Sequence, residues 1–347
     1  MMAPCRLLAL PRELRDQVYR YLFDSTRLKF GERHDYFSVL QYLVPQPNSL
    51  AILRTCHQIH AEARDIWIKR VLFDFEHGVA MMDKLSSLPP DTLSKIRHVR
   101  VTGDVVLLNI TDTWRMAQNA GDVVFRRNWL YGFRLVAFLR LLPTLQLDTL
   151  TVLLESCDNG RSYTINSMIH GSNGWKTLHV ISGGSLPLGN WSKNDNWMDR
   201  KGNGKLTWGG EWRRQLAKRD GSEANGTVSL YRSTVEDVPG SSCNPDTRDE
   251  IKEEADVFTH RTWTFKESLV TVTRGRKVDI TQQGPLTPLI DRYWSTIPDW
   301  DFSGTTWAKI RNDHAICVDN WRCSGPKPDE PVPVVYDQYN DPFEFKW

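Results

Sequence analysis

The sequence predicts a mixed fold, α+β or irregular α/β. Helices open the chain, a short helix–strand layer follows, and a β-containing C-terminal region is reached through a long polar insertion. Three observations carry this reading. Residues 10–22 and 50–70 place apolar side chains at helical spacing. Three apolar runs, 96–101, 150–154 and 176–181, read as strands, the first two behind helical stretches. Between 183 and 257, Gly, Asn, Ser, Asp and Lys dominate, and β-branched runs resume at 262. The chain therefore divides into residues 1–182, a polar insertion at 183–257 expected to be partly disordered, and residues 258–347.

The first helix is expected from Pro11 to about Phe23. Proline suits a first helical position because its missing N–H would be unpaired there. Glu13 falls in the first turn, where a negative charge complements the helix dipole. Leu10, Leu14, Val18 and Leu22 recur at spacings of four and line one face. Arg12, Arg15, Asp16 and Arg20 lie off that stripe and are expected in solvent.

Residues 24–49 read as irregular, with Asn48 or Ser49 positioned to cap the next helix. That helix, at about 50–70, carries Ile52, Cys56, Ile59, Ala63 and Ile66 at alternating steps of four and three, with Leu53 and Trp67 widening the stripe. Val71 to Phe75 is a short strand. A helical stretch and Pro89-Pro90 precede the strand at 96–101, and a helix near Phe133–Leu142 precedes the one at 150–154. Helix, loop and apolar strand form the unit of a βα layer or of a leucine-rich solenoid, but the spacings are irregular.

Glu211 to Arg219 could form a short basic helix inside the insertion. Beyond it, Thr262–Phe265 and Leu269–Thr273 read as strands. Arg274-Gly275-Arg276 signals a turn, and Lys277–Thr281 is expected to return antiparallel. A helix near Leu286–Trp294 and a Pro-rich extended tail over the last twenty residues complete the chain.

Composition narrows the function. The 347 residues are 40% hydrophobic and 25% charged, with a net charge of +2, so no global field draws the chain to nucleic acid or anionic lipid. No run reaches the roughly 18 apolar residues that span a bilayer. Met1 to Leu10 is too short for a secretory signal, since Arg6 interrupts it and Pro11 closes it. Six cysteines, at 5, 56, 157, 243, 317 and 323, form no Cys-x-x-Cys pair. They read as reduced thiols in a cytoplasmic or nuclear protein rather than as a zinc site or disulfide framework.

Two blocks together point to a family. The first is Leu10-Pro11-x-Glu13-Leu14-Arg15-x-x-Val18-Tyr19-x-Tyr21-Leu22. The second is Leu53-Arg54-Thr55-Cys56-His57-Gln58-Ile59-His60-Ala61-Glu62-Ala63, and Ile96-Arg97-His98-Val99 follows it. This order resembles a large group of mostly uncharacterised fungal proteins with an F-box-like N-terminus, over about residues 8–103. The resemblance implies a helical module that binds the linker subunit of a cullin-type ubiquitin ligase, while the rest of the chain recruits a target protein. It implies that Leu10, Pro11, Leu14 and Val18 face the linker. The residues alone leave a second reading open, in which this stripe is core of its own domain.

No other motif carries chemistry as well. His57 and His60 lie three apart beside Cys56 and Glu62, without His-Glu-x-x-His spacing or a second cluster, so no metal site is assigned. His170-Gly171-Ser172-Asn173-Gly174 has histidine where a nucleophile elbow needs a small residue. Gly202-Asn203-Gly204-Lys205 lacks the rest of a phosphate loop. Trp208, Trp212, Arg213, Arg214, Lys218 and Arg219 mix aromatics with cations, as single-strand binders do, but read as a solvated helix beside the acidic run at 249–256. Asp299 and Asp301 are two apart on a loop and lack the opposed geometry of a glycosidase pair. The sequence thus assigns no catalytic residue and no cofactor. It favours a protein–protein interaction protein without enzymatic activity, possessing a ligase-adaptor role or, alternatively, only a structural or regulatory binding role. An enzyme with a pocket in the Trp-rich C-terminal half is the third reading.

Overall fold

Helices and strands alternate from the start of the chain. The computed structural model describes residues 6–31, 50–103, 106–110, 130–133, 135–154, 160–182, 208–236, 238, 240–251, 266–281, 304–319 and 322–324. The first half runs α1 (Arg12–Asp24), β1 (Arg27–Phe30), α2 (His57–Arg70), β2 (Leu72–Phe75), α3 (Gly78–Leu85), α4 (Pro90–Leu93) and β3 (His98–Thr102). It continues through β4 (Val106–Ile110), β5 (Leu130–Phe133), α5 (Leu135–Arg140), β6 (Leu147–Leu154), α6 (Gly160–Gly171) and β7 (Trp175–Ser182). The second half supplies α7 (Trp208–Asp220), β8 (Thr227–Ser233), β9 (Arg248–Glu250), β10 (Ser268–Thr273), α8 (Trp307–Asp313), β11 (His314–Asp319) and β12 (Arg322–Ser324).

Eight strands form one mixed sheet in the order β1-β2-β3-β6-β7-β10-β8-β9. The first five are parallel and follow chain order, each new strand laid beside the last after a helical return. They start at residues 27, 72, 98, 147 and 175, so the winding has no fixed period. β10, β8 and β9 then close the far side by antiparallel pairing.

Pleating sends alternate residues to opposite faces, and the register aligns them into rows. Leu28, Phe73, Val99, Leu150, Leu178, Val272 and Val228 form one row. Phe30, Phe75, Val101, Val152, Val180, Val270 and Leu230 form the next. Both rows belong to one buried cluster with Tyr19, Phe23, Trp67, Met81, Phe138, Ile165 and Trp212, which places the helices on this face. The other face carries Asp74, Arg100, Thr151, His179 and Thr271 in register. There Arg100 Nε donates to Asp74 Oδ1 at 2.6 Å, a buried ion pair on adjacent strands.

Several local expectations change. The helix expected over 50–70 is broken: a 3-10 turn covers Ala51–Arg54, Cys56 is extended, and α2 starts at His57. The Thr55 hydroxyl donates back to the Ile52 carbonyl at 2.8 Å and ends the first segment locally. The polar stretch at 183–257 contributes α7, β8 and β9 to the same body as β7. Residues 277–281 do not return against β10, because β7 and β8 already occupy both of its edges. Instead the Ile280 carbonyl accepts from Gly174 N–H at 2.6 Å. The strand expected at 262–265, the helix near 286–294 and the Pro-rich tail lie outside the described residues.

Side-chain clasps join segments distant in sequence. The Trp212 indole donates to Asn166 Oδ1 at 2.6 Å and holds α7 on α6. Arg219 donates to the Met168 and Ser172 carbonyls at 3.3 and 2.5 Å, capping the end of α6. Burial, and then the charge of Arg274, pull the Arg219 guanidinium down to about 10. Arg274 makes a two-pronged pair with Asp220, at 2.9 and 2.6 Å. A smaller antiparallel sheet, β12-β11-β4-β5, is tied in through α8, where the Trp307 indole donates to Asp83 Oδ1 at 2.6 Å.

Gly275 is the tightest glycine among the described residues, since a Cβ there would run into the Ala224 carbonyl. Gly275→Ala is therefore expected to cost about 1–3 kcal/mol, read as a lowered urea midpoint with unchanged slope. An unchanged midpoint would show that the turn relaxes freely.

Candidate partner-binding helix

The N-terminal helix is built by two opposing faces. Pro11 sits just before it, its carbonyl accepting the first helical bond from Arg15 N–H at 3.2 Å, and the helix proper spans Arg12–Asp24. Glu13 occupies the first turn. At the other end the Ser25 and Thr26 hydroxyls both donate to the Leu22 carbonyl at 2.8 Å.

Tyr19 and Phe23 are fully buried and belong to the main core. The polar part of the inner face converges on Glu62 of α2. Arg15 grips its carboxylate with two bonds, Nε to Oε2 at 2.9 Å and Nη2 to Oε1 at 2.6 Å. The Tyr19 hydroxyl donates to Oε2 at 3.0 Å, and Gln58 Nε2 donates to Oε1 at 3.1 Å. Arg15 also donates to the Leu10 carbonyl at 2.5 Å, fixing the turn that leads into the helix. Arg12 adds a bond to the Glu62 backbone carbonyl at 3.3 Å.

Charge and hydrogen bonding set the ionisation of this cluster. The Arg15 hydrogen bonds, opposed by burial, hold the Glu62 carboxyl down at about 2. Burial first, and then the bond to Glu62, push the Tyr19 phenol up to about 12. Tyr19 therefore stays a neutral donor and Glu62 a charged acceptor across the ordinary pH range.

With Arg15, Tyr19 and Phe23 directed inward, the opposite side faces solvent. Leu10 is 37% exposed, Leu14 45%, Val18 40% and Tyr21 78%, and Pro11 is exposed as well. Leu10, Pro11, Leu14 and Val18, the residues singled out in the sequence, are thus all exposed: Leu14 and Val18 form an outward strip on the helix, and Leu10 and Pro11 lie in the turn that leads into it. Leu22 leaves the strip and packs partly against the core. A spacing of four advances about 40° per step beyond a full turn, so two steps from Leu14 carry Leu22 about 80° round toward the inner side. Tyr21, three residues after Val18, falls back into line and extends the strip. Arg15 was expected in solvent, but its side chain is 11% exposed and pairs with Glu62. The signal was present as two i, i+4 pairs, Arg15/Tyr19 and Gln58/Glu62, one in each family-like block.

The remaining motifs are absorbed by the fold. Glu62 is committed to Arg15, and among the described residues no three His, Cys, Asp or Glu gather as metal ligands would. Ser172 is buried, donating to the Met168 carbonyl at 2.8 Å and accepting from the Trp175 indole at 2.7 Å, which leaves no exposed nucleophile at 170–174. Trp212 is core and Arg219 is a helix clasp, so these two do not join Arg213, Arg214 and Lys218 on one solvated face. Gly202–Lys205, Trp191, Trp197, Trp294, Trp321, Asp299 and Asp301 lie outside the described residues. No helix among the described residues is long and apolar enough to cross a membrane. Comparison of the chain with protein-family models, with curated proteins and with solved structures gives no match in any of the three.

Two predictions follow from the two faces of α1. Glu62 has a folded pKa below its unfolded one, so its stabilisation is complete above about 4.5 and fades as pH falls toward about 2. Acid denaturation monitored by circular dichroism should therefore be less steep in this window for Glu62→Gln than for the parent, and Glu62→Gln should cost about 1.5–3 kcal/mol at neutral pH. Equal acid slopes would contradict the network. Leu14→Asp changes only an exposed position and should move the unfolding free energy by less than about 1 kcal/mol in a denaturant titration. A loss of several kcal/mol would put Leu14 in the core.

Proposed function

We propose that this chain is a non-enzymatic adaptor whose first helix docks on the linker subunit of a cullin-type ubiquitin ligase while the remainder holds a target protein. The observation that carries the reading is the outward strip of Leu14 and Val18, with Tyr21 beside them and Leu10 and Pro11 in the turn before, on a helix whose inner face is already fully employed. An apolar helix face with anchors at i, i+4 and i+7 is the form in which helical partners are recognised. Tyr21, the most exposed of them, is of a residue type enriched in binding hot spots. The two family-like blocks support the same reading, because the residues they share meet at Glu62 and orient that strip.

The proposed role is bridging. The linker covers the strip on α1, and the sheet body, at a fixed angle to α1 through α2, sets where the target sits. Co-expression with the linker subunit, followed by size-exclusion chromatography, tests it. The full chain should co-elute with the linker, and Leu14→Asp should elute separately while keeping its circular dichroism spectrum. Separate elution of the two folded wild-type proteins, or undiminished co-elution of Leu14→Asp, would overturn the proposal.

A further inference from the structure

The end of the large sheet where the parallel strands terminate carries buried polar atoms, on both faces, that bond to nothing. Thr102 Oγ1, Ser182 Oγ, Arg232 Nε and Ser241 Oγ are each buried and without a hydrogen-bond partner. Thr102 ends β3, Ser182 ends β7, Arg232 is the penultimate residue of β8, and Ser241 lies in the turn beyond β8. Since β10 runs antiparallel, its first residue, Ser268, is at the same end. Thr102 shares pleat parity with Arg100 and so faces the other side of the sheet from Ser182 and Arg232. Leaving a buried donor or acceptor unpaired costs about 1–3 kcal/mol, so the Ser182 and Arg232 atoms, which share a face, call for an explanation.

Register places Ser182, Ser268 and Arg232 side by side. Ser182 is opposite Ser268, and Ser268 is opposite Arg232. They share pleat parity with Val180, Val270 and Leu230, the row that faces the helices. Neighbouring strands are about 4.8 Å apart, so Ser182 and Arg232 are about 10 Å apart at Cα, within the reach of an arginine and one small ion. Ser182 is 1% exposed and Ser268 2% exposed. Arg232 is half-buried and makes no ion pair among the described residues, and the exposed Asp249 is opposite it in register on β9. In open α/β sheets, the carboxyl ends of parallel strands are where polar ligands bind.

We infer that this sheet end binds a small oxyanion, its negative oxygens held by the Arg232 guanidinium and the Ser182 hydroxyl beside Ser268. A guanidinium offers parallel N–H donors suited to a phosphate or carboxylate, and a serine hydroxyl donates to the same group. The two ligand chemistries share these anionic oxygens, and the site is independent of the strip on α1.

Isothermal titration of the full-length chain with sodium phosphate, and separately with sodium acetate, in an anion-exchanged buffer matched in ionic strength with sodium chloride, tests the inference. At least one of the two anions should show saturable binding above the chloride control, and the anion that binds identifies a tetrahedral or a planar guest. Ser182→Ala and Arg232→Gln should each weaken that binding by about tenfold or more. Ser182→Ala should also melt at or above the parent temperature in chloride, because it removes a buried hydroxyl that satisfies nothing when the site is empty. Absence of saturable binding for both anions would mean that the hydroxyls hold ordered water only, and would overturn the inference. Binding of equal strength in both variants would place the anion elsewhere and overturn it too.

Discussion

Glu62 accepts hydrogen bonds from Arg15, Tyr19 and Gln58, and this convergence decides which side of α1 meets the protein. A largely buried carboxylate is tolerated only when it is paired and hydrogen-bonded, so removing any one donor leaves charge or dipole uncompensated. Arg15 and Tyr19 are four residues apart, as are Gln58 and Glu62, so the network spans one turn of each helix and fixes rotation as well as separation. Phe23 then continues the same inner face into the core. The apolar strip outside follows from this constraint: once the inner face is set, Leu10, Leu14, Val18 and Tyr21 have only solvent or a partner to face.

Behind α1 the body is organised by rows rather than by repeats. Each parallel strand adds one residue to the Leu28–Phe73–Val99–Leu150–Leu178 row and one to its neighbour two residues on, and each return brings a helix over them. A large apolar side chain in each strand position makes every row continuous, so the core grows by accretion along the sheet. Antiparallel β10 and β8 extend the same rows with Val272 and Val228. The far end is secured by polar clasps, with Arg219 on the carbonyls of α6 and Arg274 on Asp220, while Trp307 on Asp83 ties the smaller sheet to α3.

Much of the helix–strand layer was legible in the sequence, because buried strands read as apolar runs and α2 has helical periodicity. β3, β6 and β7 fall on the three runs at 96–101, 150–154 and 176–181. The β8–β9 region was not legible. β8 alternates polar and apolar residues beside Gly and Asn, β9 is wholly charged, and β8 finds its core contacts only by pairing with β10, more than thirty residues later. The misplaced antiparallel return at 277–281 has the same origin, since sequence proximity favours a hairpin while the free edges of β10 are taken by distant strands. On α1, Leu14 and Val18 were grouped correctly as a stripe from spacing alone. Spacing does not reveal the sign of that stripe, inward or outward, because that depends on Glu62, some forty residues away. Nor does it reveal that Tyr21 rather than Leu22 completes it.

Hydroxyl-radical footprinting of the free chain, read residue by residue by mass spectrometry, tests the orientation of α1 most directly. Rapid oxidation of Leu14, Val18 and Tyr21 with Tyr19 and Phe23 spared is the predicted pattern, and addition of the linker subunit should protect the first three. Comparable oxidation of Tyr19 and Tyr21 in the free chain would contradict the Glu62-anchored helix, and with it the outward strip on which the adaptor reading depends.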